Sequence, residues 1–189
     1  LIKLSKDQFS LEIFEIIFPQ LKNLKLFSNL NSFAKIKIEE SDFIFLLSIL
    51  IIDKTDNADY FVYKFNISKK DQKRLKIIDD FYKDKITSKS FSANTLNRTF
   101  YYKGKQALID ILSFKIFKSR KVDKKILKLI EEFKSKDFPI MPVGGKFLKE
   151  KYHIKEGKTL GAKLKTIEEV WVDNNFKLSE KQIDKIINS

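Results

Sequence analysis

The chain has 189 residues, of which 38 are Lys or Arg and 25 are Asp or Glu, so its formal net charge at pH 7 is +13. That length is typical of one domain or of two small helical subdomains. The hydrophobic fraction of 43% is enough to form a core, which excludes a disordered tail. The absence of Cys and the presence of one His exclude disulfide frameworks, thiolate zinc sites and paired-His metal sites. Five Gly and three Pro favour helices over a loop-rich β domain.

Apolar residues recur every three or four positions along most of the chain, which is the spacing of the inner face of an amphipathic helix. The pattern starts over 11–27, with an interruption at Pro19, and continues in the apolar run 43–52, for which Ser41 is a candidate N-cap. Further helices are predicted through Tyr60 and Phe65, behind an N-cap at Ser68, and over 96–101 with a C-terminus at Gly104. The next ones are predicted over 108–116, behind an N-cap at Asp123, and over 160–171. The last begins at a capping box formed by Ser179 and Gln182. The sequence therefore predicts an all-α fold, an irregular array of about eight to ten helices.

Two prolines, Pro139 and Pro142, interrupt the helical pattern and are followed by a Gly-rich loop over 157–161. We therefore predict a helical body over 1–136 and a helical tail over 137–189 with a Pro/Gly-rich entry loop. The longest apolar run is about half of the ~20 residues that a membrane-spanning helix needs, so we expect no membrane partner and a cytoplasmic location. The chain opens in patterned sequence without Met, and we expect it to be a fragment of a longer protein.

The positive charge is concentrated in the middle of the chain. Residues 1–60 and 166–189 each have a net charge of −2, whereas residues 61–114 carry +7 and residues 115–165 carry +10. Only three of the basic residues are Arg, so the codon usage of an AT-rich genome explains part of the Lys content, but a uniform bias does not produce this asymmetry. The asymmetry favours an anionic partner such as nucleic acid, and an ordinary solvated Lys-rich face is the alternative.

The candidate RNA-binding residues are basic and fall mostly on predicted helices. Lys118, Lys121, Lys125 and Lys128 would share one face of a continuous helix, whereas a break at Asp123 would divide that face. Lys in the first turns of the Ser68-capped helix opposes the helix dipole, and a bound phosphate would relieve this. Contacts of this kind position RNA without reading its sequence. The full set of candidates is Lys69, Lys70, Lys73, Arg74, Lys103, Lys105, Lys115, Lys118, Arg120, Lys121, Lys124, Lys125, Lys128 and Lys146.

Residues with other chemistry are few. Tyr101 and Tyr102 stand beside lysines and could stack on RNA bases, although core packing is the favoured alternative. His153 lies in a Lys-rich turn without a neighbouring nucleophile motif, and we expect it to be an exposed loop residue. The sequence has no D-x-D and no phosphate-binding Gly loop, so we predict no catalytic residue and no metal ligand in it.

The last third of the chain carries three short motifs that are informative when taken together. In order, they are FPIMPVGGKFL over 138–148, GKTLGAKL over 157–164 and EEVW over 168–171. Together they resemble the tail of bacterial tRNA nucleotidyltransferases (CCA-adding enzymes) and poly(A) polymerases, which reads P-[VI]-[ST]-G-x-D-L, a Gly-rich turn, G-x-x-L and an aromatic. Upstream, Arg98, Tyr101, Gly104 and Asp110 are similar to the R-x-x-Y-x-x-G…D helix pair of the alpha-proteobacterial branch.

Three positions depart from the family pattern. Phe147 stands in place of the usual Asp, Gly144 in place of Ser or Thr, and His153 near a usual Gly. The segment 11–27, with its proline, resembles the family's passage from neck to body.

The resemblance implies a helical body and tail that hold the acceptor stem and T arm of tRNA. In the family, an N-terminal head with G-S-x-x-R and D-x-D motifs binds Mg²⁺ and CTP or ATP, and neither motif occurs in these residues. We therefore expect the tRNA-binding portion of a CCA-adding or poly(A)-adding nucleotidyltransferase, inactive alone, with no cofactor of its own and with tRNA or another structured RNA as partner. One alternative is a stand-alone helical protein-interaction module with a solvated Lys-rich face. Another is a complete enzyme with an unrecognised site.

Overall fold

A computed structural model describes residues 1–84 and 86–188, and within these ranges all regular structure is helical. The all-α prediction is therefore confirmed, and the eleven α-helices in the described ranges are close to the number expected. In chain order they are α1 (Gln8–Ile17), α2 (Ser32–Lys37), α3 (Phe43–Ile51), α4 (Asn57–Lys64), α5 (Lys69–Lys83), α6 (Ala93–Lys103), α7 (Lys105–Phe117), α8 (Lys124–Ser135), α9 (Gly145–Tyr152), α10 (Lys158–Asp173) and α11 (Glu180–Ile187). Short 3₁₀ turns lie at Leu4–Lys6, Leu24–Asn29 and Ser88–Phe91.

Several helices begin at the cap residues expected from the sequence. The Ser68 hydroxyl accepts the Asp71 N–H at the start of α5, and the Asp123 carboxylate caps the first turn of α8. Ser179 and Gln182 form a reciprocal capping box at the start of α11. Each cap satisfies N–H groups that have no partner inside the helix, which stabilises it by about 1 kcal/mol.

The start of α3 differs by one residue from the prediction. Its N-cap is Asp42, whose carboxylate accepts the Phe45 N–H at 3.0 Å. The Ser41 hydroxyl instead donates to the carbonyl of Lys37 at 2.8 Å and closes the turn that follows α2. Both residues are good capping types, and the end of the preceding helix decides which of them caps α3.

The chain divides into two compact units. Unit 1 consists of Leu1–Ile86 and Lys105–Lys136, and unit 2 consists of Thr87–Gly104 and Asp137–Ser189. The chain passes from one unit to the other after residues 86, 104 and 136, and residues 87–104 belong to unit 2, in which α6 packs on α10. Gly104 ends α6 and is the last residue before the chain returns to unit 1. Its φ of +92° is a conformation that favours glycine.

Unit 1 has its core around α3, α5 and α7. Six of the nine residues of α3 are buried, which explains why this helix is apolar on all sides. Ile78 of α5 and Ile111 of α7 belong to the same buried cluster, as does Phe27 from the 3₁₀ turn. Each fully buried side chain of this kind contributes about 1.5–3 kcal/mol to folding, so these helices hold the surface residues of the unit in place.

Unit 2 has a smaller core, built by its last three helices. Leu148, Leu160, Ile167 and Ile183 are buried together. Val143, from the Pro-rich segment that enters the tail, is buried in the same cluster. The family-like segments of the sequence thus supply part of the core of this unit, through Val143, Leu148 and Leu160.

No helix within the two described ranges is both long and apolar enough to cross a bilayer. The most apolar of them, α3, has nine residues.

Candidate nucleic-acid interface

The predicted basic face over α7 and α8 is divided in two. Helix α7 ends at Phe117 and α8 begins only at Lys124, so Lys118 and Lys121 lie in the connection and the next lysines lie on α8. The break occurs because the Asp123 carboxylate accepts the N–H groups of Lys125, at 3.0 Å, and Ile126, at 3.3 Å, and thereby starts a new helix. The helix thus breaks at Asp123, and the four lysines do not share one continuous helical face.

A buried amide fixes the connection between α7 and α8. The side-chain N–H groups of Asn31 donate to the carbonyls of Ile116, at 2.7 Å, and Ser119, at 2.9 Å. Its side-chain oxygen accepts the N–H of Ala34 at 2.9 Å and caps α2. Because Asn31 is 7% exposed, these hydrogen bonds are shielded from water and hold the connection rigidly.

Helix α8 is amphipathic, and its outer face is basic over its first half. Ile126, Ile130 and Phe133 are buried, and the exposed side carries lysines before Glu131 and Glu132. No acidic residue lies in its first turn. We call five residues of this region the basic cluster, all of them exposed and, within the described part of the chain, none of them paired with a carboxylate: Arg120, Lys121, Lys124, Lys125 and Lys128.

Lys118 lies beside the basic cluster but is partly buried. Its Nζ is 5.5 Å from the centroid of the Phe114 ring. Burial lowers the pKa of Lys118 to about 8, because removal of water disfavours the ammonium form, and the charge of Asp53 offsets only part of this effect. This side chain reaches a surface hollow of about 520 Å³, which is lined by Lys25, Leu26, Asn29, Lys118, Ser119 and Arg120.

The second group of predicted residues, at the start of α5, lies in a mixed electrostatic environment. Lys69, Lys70 and Lys73 are exposed. Two of them, Lys69 and Lys73, line a hollow of about 440 Å³ together with Asp59 and Asp79. The neighbouring carboxylates reduce the local positive potential, so the surface here is less positive than at the basic cluster.

Arg74 is held by two carboxylates of its own unit. Its Nε and Nη2 donate to the two oxygens of Asp110 at 2.7 and 3.0 Å. Its Nη1 and Nη2 donate to the two oxygens of Asp42 at 2.8 and 2.7 Å. The hydrogen bonds from Asp110 and Asp42 raise the pKa of Arg74 further. Four of the five guanidinium N–H groups are thus occupied, which leaves no free pair for the bidentate phosphate contact that Arg favours.

The four remaining candidates are dispersed over the two units. Lys103 and Lys146 belong to unit 2, and Lys105 and Lys115 belong to unit 1. Lys105 donates to a backbone carbonyl of α8 at 3.0 Å, Lys115 is half-buried, and Lys146 lies 3.8 Å from a carboxylate one turn further along α9. Lys103 is exposed in the last turn of α6.

The two adjacent tyrosines differ in their surroundings. The Tyr101 hydroxyl donates to Glu168 at 2.6 Å, and its ring lies 5.4 Å from that of Trp171 and 5.6 Å from that of Phe138, so it is a packing residue. Burial, together with the Glu168 hydrogen bond, raises the pKa of Tyr101 to about 12. Tyr102 is 43% exposed, and the Arg98 guanidinium lies over its ring at 5.6 Å.

Three of the family-like residues make structural contacts inside the units. Asp110 binds Arg74, Tyr101 binds Glu168, and Arg98 forms an ion pair with Asp173. These contacts give the three residues a structural role inside their units.

Sequence reasoning missed two residues of the site. Lys25 lies within residues 1–60, whose net charge is −2, and only its position in the lining of the hollow identifies it as a candidate. Asn31 stands 85 and 88 residues before the carbonyls that it binds, so no local pattern reveals its role. Its position in front of a helical stretch was the one available signal, since Asn is a common N-cap.

His153 is exposed and ends α9 in the left-handed conformation, with a φ of 54°. In residues 1–84 and 86–188, no group of three or more His, Asp or Glu side chains is arranged to hold a metal ion. No protein-family model matches the chain, and comparison with curated proteins gave no match. The resemblance to CCA-adding enzymes therefore rests on the sequence motifs alone.

Proposed function

We propose that this chain binds structured RNA, and tRNA in particular, through the basic cluster at the start of α8. The observation that supports this proposal most strongly is that five exposed cations lie from residue 120 to residue 128, none of them paired with a carboxylate of the described residues. Such crowding is unfavourable in the free protein, because like charges repel and lysines in a first helical turn oppose the dipole. RNA phosphates relieve both effects.

The chemistry of the cluster suits a duplex backbone better than a specific base. Lysine ammonium groups on long stems neutralise phosphates as point charges and read no base edges. A-form RNA is bound largely in this way, by its shape, its phosphates and its 2′-hydroxyl groups. The acceptor stem and T arm of tRNA are an RNA of this kind.

We further propose, from the sequence resemblance, that the chain is the body and tail of a CCA-adding or poly(A)-adding nucleotidyltransferase. In that case an N-terminal head transfers the nucleotides, and Mg²⁺ with CTP or ATP binds to the head. The chain alone is then inactive, and we expect no incorporation of labelled CTP or ATP into tRNA. Incorporation by these 189 residues would instead favour a complete enzyme.

Filter binding with a charge-matched pair of variants tests the RNA-binding role. The first variant replaces Lys121, Lys124, Lys125 and Lys128 with Gln. The control makes the same change at four exposed lysines of the acid-balanced N-terminal region: Lys3, Lys6, Lys22 and Lys35. We expect the first variant to lose at least about tenfold in tRNA affinity near 0.1 M salt and the control to lose less than about threefold, because contacts to phosphate act locally. Equal losses would show that net charge, and not this surface, binds the RNA.

One observation favours the alternative of a protein-interaction module. On α1 four apolar residues are exposed, namely Phe9 at 72%, Ile13 at 38%, Ile16 at 80% and Ile17 at 57%. Their spacing places them on one side of the helix, and an exposed apolar stripe is typical of a protein contact. If this were the only function, the unmodified chain would have no tRNA affinity at low salt, and an Ile16→Asp variant would lose its protein partner.

A further inference from the structure

The hollow beside the basic cluster is lined by three cations from two separate segments. Lys25 comes from the 3₁₀ turn Leu24–Asn29, and Lys118 and Arg120 come from the connection between α7 and α8. The remaining lining consists of Leu26, Asn29 and Ser119, with no carboxylate among the described lining residues. The Asn31 side chain donates a hydrogen bond to the Ser119 carbonyl, so the conformation of this connection is fixed by contacts within the protein.

Three cations and one amide of the hollow have donor capacity available, whereas the Ser119 hydroxyl already donates to the Lys115 carbonyl at 2.7 Å. Lys118 forms no ion pair within residues 1–84 and 86–188, and neither does Arg120. Lys25 lies 3.2 Å from Glu15, but both side chains are largely exposed, so this pair is weak and exchangeable. The Asn29 amide donates one hydrogen to the Ser28 hydroxyl at 3.1 Å and keeps the other.

We propose that this hollow is a phosphate-binding site that takes one backbone phosphate of the bound RNA. Arg120 and Lys25 approach the phosphate from the rim, Lys118 from the wall, and the Asn29 amide donates a hydrogen bond. This inference rests on the proposed function, and it adds a discrete pocket to an otherwise open basic surface. A volume of about 520 Å³ is ample for a phosphate group with its bound water.

The partly buried Lys118 makes binding at this site dependent on pH. The charged groups around it are Lys25 and Arg120 on the hollow and Asp53 from the connection between α3 and α4. In the free protein a pKa of about 8 leaves a fraction of Lys118 neutral at mildly alkaline pH. A phosphate dianion or diester favours the ammonium form, so RNA binding is accompanied by proton uptake at this residue.

The test measures tRNA affinity at constant salt between pH 6.5 and pH 8.5. From a pKa of about 8, the charged fraction of Lys118 falls about fourfold over this range, and we expect the affinity of the unmodified chain to fall by a similar factor. Lys118→Arg keeps a permanent charge and should bind equally well at both pH values. The matched control Lys125→Arg, at an exposed position of the basic cluster, should keep the fourfold fall.

A second measurement needs no variant. Mild acylation of the free protein at neutral pH, followed by peptide mass spectrometry, should modify Lys118, and saturating tRNA should slow this modification at least about fivefold. A pH dependence that is identical in Lys118→Arg and the unmodified chain, or an acylation rate unchanged by tRNA, would overturn the phosphate site. If tRNA binds and only the basic-cluster variant weakens it, the proposed function stands without the hollow, whereas absence of any tRNA binding would refute both.

Discussion

Replacement of Arg74 with Met, which keeps an apolar stem but removes the guanidinium, is expected to destabilise unit 1 by about 3–5 kcal/mol. The guanidinium links three helices, because it lies on α5, binds Asp110 of α7 and also binds Asp42 at the start of α3. Without it the Asp110 carboxylate, whose side chain is 3% exposed, keeps the Gln106 amide at 2.9 Å as its one side-chain donor among the residues that the structure describes. An uncompensated buried charge is the largest part of the effect.

The two ion pairs contribute unequally. The Asp42 side chain is 52% exposed, so its pair with Arg74 is screened by water and contributes about 0–1 kcal/mol. Burial raises the pKa of Asp42, but the hydrogen bonds from Arg74 and from the Phe45 N–H outweigh it, and the net pKa is lowered. A lowered carboxyl pKa adds stability above the ordinary value near 3.8, and this stability is lost as the pH falls through the folded-state value. In Arg74→Met this part of the acid sensitivity should diminish, because the contribution of Arg74 is lost while the hydrogen bond from the Phe45 N–H at the helix N-terminus remains.

Urea titration followed by far-UV circular dichroism measures the change. Arg98→Met is a matched control, because Arg98 pairs with Asp173 where both side chains are more than 40% exposed, and it should lose less than about 1 kcal/mol. Adding Asp110→Asn to Arg74→Met removes the orphaned charge and should restore more than half of the loss. A loss for Arg74→Met no larger than that of the Arg98 control would refute the reasoning about the buried carboxylate.

Three further changes have clear expected outcomes. Burial raises the pKa of Tyr82, so its contribution to stability is present below pH 10 and is lost at higher pH, where the tyrosine of the unfolded chain ionises. Tyr82→Phe loses the 2.7 Å hydrogen bond to the Ile111 carbonyl, so its free energy of unfolding in urea at pH 7 should be about 1 kcal/mol lower. Between pH 7 and pH 11, however, the variant should lose less stability than the unmodified chain. Asn31→Ala should lower the free energy of unfolding by about 2–3 kcal/mol, since it leaves the buried Ala34 N–H and the partly buried Ser119 carbonyl without their side-chain partner. His153→Gly should raise the free energy of unfolding, measured in urea, by about 0.5–1 kcal/mol, because glycine adopts a φ of 54° without strain. An unchanged free energy would contradict the inference that His153 is strained in this conformation.

Local signals predicted the helices of this fold well. The caps at Ser68, Asp123 and Ser179 depend on side chains and N–H groups within three residues of one another, so the sequence displays them directly. The apolar run of α3 likewise predicts a buried helix, because a helix that is apolar on all sides has no face for water.

Contacts between distant residues were beyond such signals. Arg74 reads as a free cation in a run of lysines, but Asp42 and Asp110, 32 and 36 residues away, occupy its guanidinium. The hollow at Lys118 depends on Lys25 and on the support of Asn31, both from the N-terminal part of unit 1. Charge composition therefore located the basic region of the chain, and tertiary packing decides which of its cations are available to a ligand.

The salt dependence of tRNA binding tests the RNA-binding proposal most directly. With five cations of the basic cluster on duplex phosphates, the logarithm of the association constant should fall with the logarithm of salt concentration with a slope of about −4 to −5, since each phosphate contact contributes about −0.9. The variant with Gln at Lys121, Lys124, Lys125 and Lys128 should have a slope reduced to about −1. Absence of binding near 50 mM salt, or a slope that the four substitutions leave unchanged, would contradict the proposal.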